Sequence, residues 1–160
     1  MSTVYLGLGT NLGDKTFQLR TAVSEIEKRI GRVMTLSAFY TTSPWGFSSK
    51  NTFLNAACVV QTTLSPHEVL SITQNIEINL GRKNKSFTHN YSDRLIDIDI
   101  LFYDQLILDE ANLQIPHPLL SEREFVLKPL VEIAPDFIHP VSHENIRTLW
   151  QRINKGLPSK

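Results

Sequence analysis

The sequence predicts an α+β fold: one antiparallel sheet with helices packed against a face of it. Two observations carry this. Strand-like and helix-like periodicities follow one another in the order strand, helix, strand, strand, helix, strand, with further elements behind them. The chain of 160 residues is 41% hydrophobic, enough for one sizeable core and too short for two comfortable ones. That order belongs to the ferredoxin-like split βαβ fold, a βαββαβ core here carrying C-terminal additions, and a single domain over 1–160 is expected.

The elements follow in order. Val4 to Leu8 is a short apolar run and reads as a strand, ending in the turn-rich Gly9-Thr10-Asn11-Leu12-Gly13. From Asp14 the period changes: Leu19, Ala22, Val23, Ile26 and Ile30 share one helical face, and Gly31 supplies the stop. Val33 to Thr42 alternates, with Met34, Leu36, Ala38 and Tyr40 on the side expected to be buried. The stretch 43–51 is a loop by its Pro, Gly and Ser content. Phe53 to Thr63 is a long strand. Ser65-Pro66-His67-Glu68 is a capping box with proline at the first helical position, and Val69, Ile72, Thr73, Ile76 and Leu80 continue a buried stripe to Gly81. Arg82 to Arg94 lacks apolar periodicity and reads as a long loop. Leu95 to Tyr103 is a strand, and Asp104-Gln105 turns it into a short partner, Leu106 to Leu108. Ile115-Pro116-His117-Pro118 is rigid loop, Arg123 to Ile133 is helical despite Pro129, and Asn145 to Ile153 is a last helix.

Composition narrows the function. Lys plus Arg and Asp plus Glu both total 16, and a neutral chain argues against broad nucleic-acid binding driven by phosphate neutralisation. The single cysteine, Cys58, lies in an apolar run with no cation nearby in sequence, so it reads as a small buried hydrophobe. No signal-like segment opens the chain and no apolar stretch is long enough for a membrane helix, which makes the cytoplasm the expected compartment.

The sharpest chemical feature is Asp97-Ile98-Asp99. In a strand both carboxylates point one way, roughly 7 Å apart at Cα, while Ile96, Ile98, Ile100 and Phe102 point the other way into the core. Two like charges side by side are unfavourable unless something positive sits between them, and a pair of Mg²⁺ ions is the natural candidate. The competing reading is the solvated face of an edge strand. The loop before it carries Arg82, Lys83, Lys85 and Arg94 against Asp93 alone, which suits a metal–nucleotide site and brings the two readings level. Asn55 is the second oddity, a polar amide flanked by apolar residues. It is either satisfied by backbone or used to read a heterocycle edge, with Phe53 on the same face placed to stack. His117, held between prolines, suits a phosphate contact, although a lone histidine is more often structural. There is no Walker-type glycine loop and no Cys/His metal cluster. Gly7-x-Gly9 lacks the third glycine and acidic partner of a dinucleotide fingerprint.

Together these segments resemble the 6-hydroxymethyl-7,8-dihydropterin pyrophosphokinase family. Arg94-Leu95-Ile96-Asp97-Ile98-Asp99-Ile100-Leu101 is similar to its signature. The resemblance extends through Leu8-Gly9-Thr10-Asn11-Leu12-Gly13, Phe39 to Gly46, Phe53-Leu54-Asn55-Ala56-Ala57, Glu77 to Arg82, Pro116-His117-Pro118 and Arg123 to Leu127. It implies diphosphate transfer from ATP, as co-substrate with two Mg²⁺, to the hydroxymethyl group of a reduced pterin in folate synthesis. Asp97 and Asp99 would hold the metals. Asn55 would bond the pterin, Phe53 and Phe125 would stack on it, and Thr42, Ser43 and Trp45 would line it. Glu77, Ile100 and Leu101 would form the adenosine side, and Arg82, Arg94, His117 and Arg123 would contact the triphosphate, with 82–94 as a lid. The chain departs from the family at Tyr91, at Ser92-Asp93 and at Pro118. Partners are then the two small-molecule substrates, with no nucleic acid and no membrane, and the expected state is a monomer. Two other readings use the same residues: a different metal-dependent transferase, or a non-catalytic binding module of this fold.

Overall fold

The computed structural model describes residues 1–42, 52–81 and 96–154. Strand β1 (Ser2–Thr10) outruns its apolar stretch because alternation, not mean hydropathy, decides it. Val4, Leu6 and Leu8 point inward, while Tyr5, Gly7 and Gly9 face the other way. Helix α1 (Lys15–Arg29) starts where Asp14 accepts a hydrogen bond from the Phe17 amide at 3.1 Å, and buries Leu19, Ala22 and Ile26. Gly31 ends it for want of space: a Cβ there would lie 2.0 Å from the Gln61 carbonyl oxygen.

Strand β4 (Phe53–Thr62) is the hub. It pairs antiparallel with β1 over its whole length, with β2 (Arg32–Leu36), and with β3 (Tyr40–Thr42). The capping box forms as expected. The Ser65 amide donates to the Glu68 carboxylate at 2.8 Å and the Glu68 amide to Ser65 Oγ at 3.2 Å, opening α2 (Pro66–Gly81). Strand β5 (Asp97–Tyr103) pairs antiparallel with β1, giving the order β2-β4-β1-β5 of a split βαβ sheet. None of the described helices is long and apolar enough to cross a membrane.

Four expectations are corrected. Helices cover both faces, not one. Helices α1 and α2 pack on Val4, Leu6, Leu8, Cys58, Ile98 and Ile100, whereas α3 (Glu124–Ile133) and α4 (Ile146–Asn154) build a second core on Ala57, Leu101 and Phe102. Phe102 therefore does not share a face with Ile98 and Ile100. An irregularity in the β1–β5 register, between Tyr5 and Leu6, turns it into the second core. The alternation over 33–42 is not one strand. Met34 and Leu36, assigned inward, are exposed, and the ladder breaks where Ser37 Oγ accepts from the Ala57 amide at 2.9 Å. Finally, the chain after the Asp104-Gln105 turn does not pair back on β5. Strand β6 (Leu108–Glu110) forms a separate ribbon with β7 (Leu113–Ile115).

Candidate active site

The second face of the sheet changes character along its length. Under α3 and α4 it is apolar: Tyr5, Ala57, Leu101 and Phe102. One step further along each strand stand Asn55 on β4, Gly9 on β1 and Asp97 on β5. Register fixes them in one row, since Gly9 pairs with Asn55 on one side and with Asp97 on the other. Ala57, Gly7 and Asp99 make the row beside it. Adjacent strands lie roughly 4.8 Å apart, so Asn55 and Asp97 are about 10 Å apart at Cα with bare backbone between them. The Asn55 amide is buried, and its Nδ2 donates to Thr42 Oγ1 at 2.9 Å. Thr42 in turn pairs with Phe53 across the ladder. Residues 42, 53 and 55 are thus brought together on neighbouring strands.

The carboxylates lie on the outer strand of the sheet. Away from β1, the Ile98 amide donates to Glu77 Oε2 of α2 at 2.7 Å. Burial pushes the Glu77 carboxyl up to about 7. The Ile98 bond opposes that rise, and the charges of Asp97 and Asp99 add to it. Glu77, buried and beside Asp97 and Asp99, therefore tends to keep its proton. Among the described residues no set of three or more His, Cys, Asp or Glu is placed to cage an ion. Magnesium, however, needs only one or two carboxylates when phosphate and water supply the rest, and Asp97 with Asp99 fits that demand.

A cleft of about 270 Å³ adjoins these acids, walled by Ile98, Asp99 and Ile100, by residues 111–114, and by Leu70 and His117. His117 is fixed from two sides. Its amide donates to the Leu101 carbonyl at 3.1 Å and its Nδ1 accepts from the Leu119 amide at 3.3 Å. Occupied Nδ1 leaves Nε2 as the protonated, donating nitrogen of the neutral ring. Burial lowers its pKa, as does the charge of Arg123, against the pull of Asp97. Arg123 caps α3 and lies 5.6 Å from the centroid of the Phe125 ring, so the helix start delivers a cation and an aromatic to the same place.

Glu77, Ile100 and Leu101, expected on the adenosine side, take three different places. Leu101 is buried in the second core, Glu77 sits against the carboxylates, and neither walls the cleft, whereas Ile100 does. Ser43, Trp45, Arg82 and Arg94 lie outside the described residues. Sequence reasoning missed two contributors. Gly9 stands in the sequence within Gly7-x-Gly9, within the turn-rich stretch and within the Leu8–Gly13 segment of the resemblance, and none of these gives it a role of its own. Glu132 on α3 accepts from the Ala38 amide at 3.0 Å and from the Tyr40 hydroxyl at 2.6 Å, tying α3 to β3, and no local signal in the sequence marks it.

Comparison with known proteins agrees with this arrangement. Residues 5–135 match the family described as 7,8-dihydro-6-hydroxymethylpterin-pyrophosphokinase. The 2-amino-4-hydroxy-6-hydroxymethyldihydropteridine pyrophosphokinase of Porphyromonas gingivalis is 46% identical over 141 residues, 88% of this chain and 95% of its own. The enzyme of that name from Methylorubrum extorquens is 42% identical over 155 residues, 96% and 95% of the two chains. A folic acid synthesis protein of Dictyostelium discoideum is 43% identical, but the chain spans only 21% of it. Among solved structures, a wild-type Plasmodium falciparum HPPK-DHPS chain superposes with a TM-score of 0.76 at 18% identity, which speaks for the fold; it covers 95% of this chain and 44% of that one. An HPPK-DHPS structure in complex with substrates gives 0.75 at 18% identity, with 97% and 44% covered, so the chain spans less than half of those fused proteins. From the family match and from relatives aligned almost end to end, the chain belongs to the 7,8-dihydro-6-hydroxymethylpterin-pyrophosphokinase family.

Proposed function

We propose that this chain transfers a diphosphate from ATP to the hydroxymethyl group of 6-hydroxymethyl-7,8-dihydropterin, releasing AMP, with two Mg²⁺ ions held by Asp97 and Asp99. The observation that carries the reading is the register that sets Asn55, Gly9 and Asp97 in one row on one face. A heterocycle held at Asn55 has its substituent directed across bare backbone toward the carboxylates.

The pterin hydroxyl oxygen attacks the β-phosphorus and gives up its proton to water, the bond from β-phosphorus to the α,β-bridging oxygen breaks, and AMP leaves with that electron pair. Little covalent work falls to the protein. Asn55 orients the ring through its amide while Phe53 and Phe125 stack on its faces. Ile100 and Leu70 line the cleft where the adenosine would sit. His117 donates from Nε2 to a phosphate oxygen, and Arg123 adds positive charge, as Arg82 and Arg94 would. Glu77 keeps β5 in place by holding the Ile98 amide. Magnesium bound at Asp97 and Asp99 would neutralise phosphate oxygens and stabilise the charge that builds on them.

The test is nucleotide analysis after incubation with ATP and Mg²⁺, with and without the pterin. AMP formed only in the presence of the pterin supports the reading. ADP, or free pyrophosphate released with a nucleotidyl product, points to another transferase on the same carboxylates.

A further inference from the structure

We infer that Gly9 is a specificity-determining position, whose missing side chain sets the Asn55 amide and keeps open the passage from the pterin to the carboxylates. The inference rests on the proposed function and deepens it. A Cβ built at Gly9 would lie 2.8 Å from Asn55 Oδ1, closer than real Cβ atoms come, and among the described residues only Asn55 lies within 4 Å of it. The reason is space, not backbone conformation: among the described glycines, only Gly13 has positive φ. The Asn55 carboxamide thus spans three strands, with Nδ2 on Thr42 of β3, its backbone on β4, and Oδ1 over Gly9 of β1. In this pose one N–H of Nδ2 is spent on Thr42, leaving the other, with the Oδ1 acceptor, to read a ring edge. A methyl group at position 9 forces Oδ1 away, so the amide gives up either its bond to Thr42 or its alignment with the ring.

Gly7 provides the contrast. It lies on the same strand face, two residues earlier, opposite Ala57 and Asp99. The three described atoms nearest a Cβ there all belong to the Leu101 side chain, the closest at 3.4 Å, an ordinary contact. Two glycines that look alike in sequence therefore carry different demands.

The experiment is calorimetric titration of the full chain with 6-hydroxymethyl-7,8-dihydropterin, in Mg²⁺ and a non-hydrolysable ATP analogue, for wild type, Gly9→Ala and Gly7→Ala. Gly9→Ala should weaken pterin binding about tenfold or more, the fold-change a lost hydrogen bond to a polar ring edge carries. It should leave affinity for the ATP analogue, titrated alone, close to wild type, and Gly7→Ala should bind the pterin nearly normally. Wild type that binds pterin together with Gly9→Ala that binds it equally well would overturn the inference alone. Wild type that binds no pterin would overturn the proposed function and the inference with it. Thermal melting guards against a trivial folding defect. Gly9→Ala should lower Tm in the wild-type background and far less in Asn55→Ala, where the obstructed oxygen is gone. Equal losses in both backgrounds would show that the methyl group collides with something other than Asn55.

Discussion

Among single residues, two carboxylates and one amide matter most to the site. Asp97→Asn or Asp99→Asn removes one of two neighbouring negative charges, so ligand-free melting should show no large loss of stability while turnover falls severely. Near-normal turnover by either variant at ordinary Mg²⁺ would remove the metal assignment. Asn55→Ala should weaken pterin binding by about 1–3 kcal/mol, the cost of leaving a polar ring edge unpaired, and spare the nucleotide. Equal weakening of both ligands would make Asn55 structural. Asp97, Asp99 and Asn55 are legible in the sequence because their signal is local: a period of two, and a polar side chain in an apolar run. The contact of Gly9 with Asn55 and that of Glu77 with Ile98 are not. Gly9 matters only because β1 and β4 pair in one register, and Glu77 reaches Ile98 only because α2 packs along β5.

Elements are legible to the extent that their signals lie within them. The capping box at Ser65 and the N-cap at Asp14 appear as read, because both are satisfied within three residues. The break between β2 and β3 could not be read, because the alternation simply continues through it. It is decided by Ser37 Oγ taking a ladder amide of Ala57, and by Glu132, 94 residues away, taking the Ala38 amide. The change of face at Phe102 has the same origin, a register irregularity against β1. Glu132 should then act as a clamp that fixes β3, and with it Thr42, against the helix that carries Phe125. Glu132→Ala should cost about 1 kcal/mol for each bond lost and weaken pterin binding. Glu132→Gln, which keeps an acceptor, should recover most of both. Denaturant unfolding and pterin titration of the two variants check this, and a Gln variant as impaired as Ala would contradict it.

Over the whole molecule, the two-sided sheet explains how one short chain holds a site. Helices α1 and α2 cover one face over Val4, Leu6, Leu8, Cys58 and Ile98, while α3 and α4 cover part of the other over Ala57, Leu101 and Phe102, leaving Asn55, Gly9 and Asp97 beyond them. The C-terminal part that completes this second core is pinned by His139, whose Nδ1 accepts from the Val141 and Ser142 amides at 3.1 and 3.2 Å and whose ring meets Phe102 edge-on. Burial lowers its pKa; Glu144 works against that and His143 with it. The unfolded chain then takes up its proton first, near the ordinary value of 6.5, so stability should fall as pH drops from there toward the lower folded value. His139→Asn, which keeps an acceptor and cannot titrate, should show a shallower acid-side slope in unfolding measurements. An unchanged slope would remove His139 from the account. That one sheet face aligns a pterin with the diphosphate it receives can be checked by phosphorus NMR of a single reaction. With ATP, Mg²⁺ and 6-hydroxymethyl-7,8-dihydropterin, the wild-type chain should form AMP and a pterin diphosphate ester one for one, and consume no ATP when the pterin is omitted. ATP consumed without the pterin, or AMP accumulating beside free pyrophosphate, would contradict it.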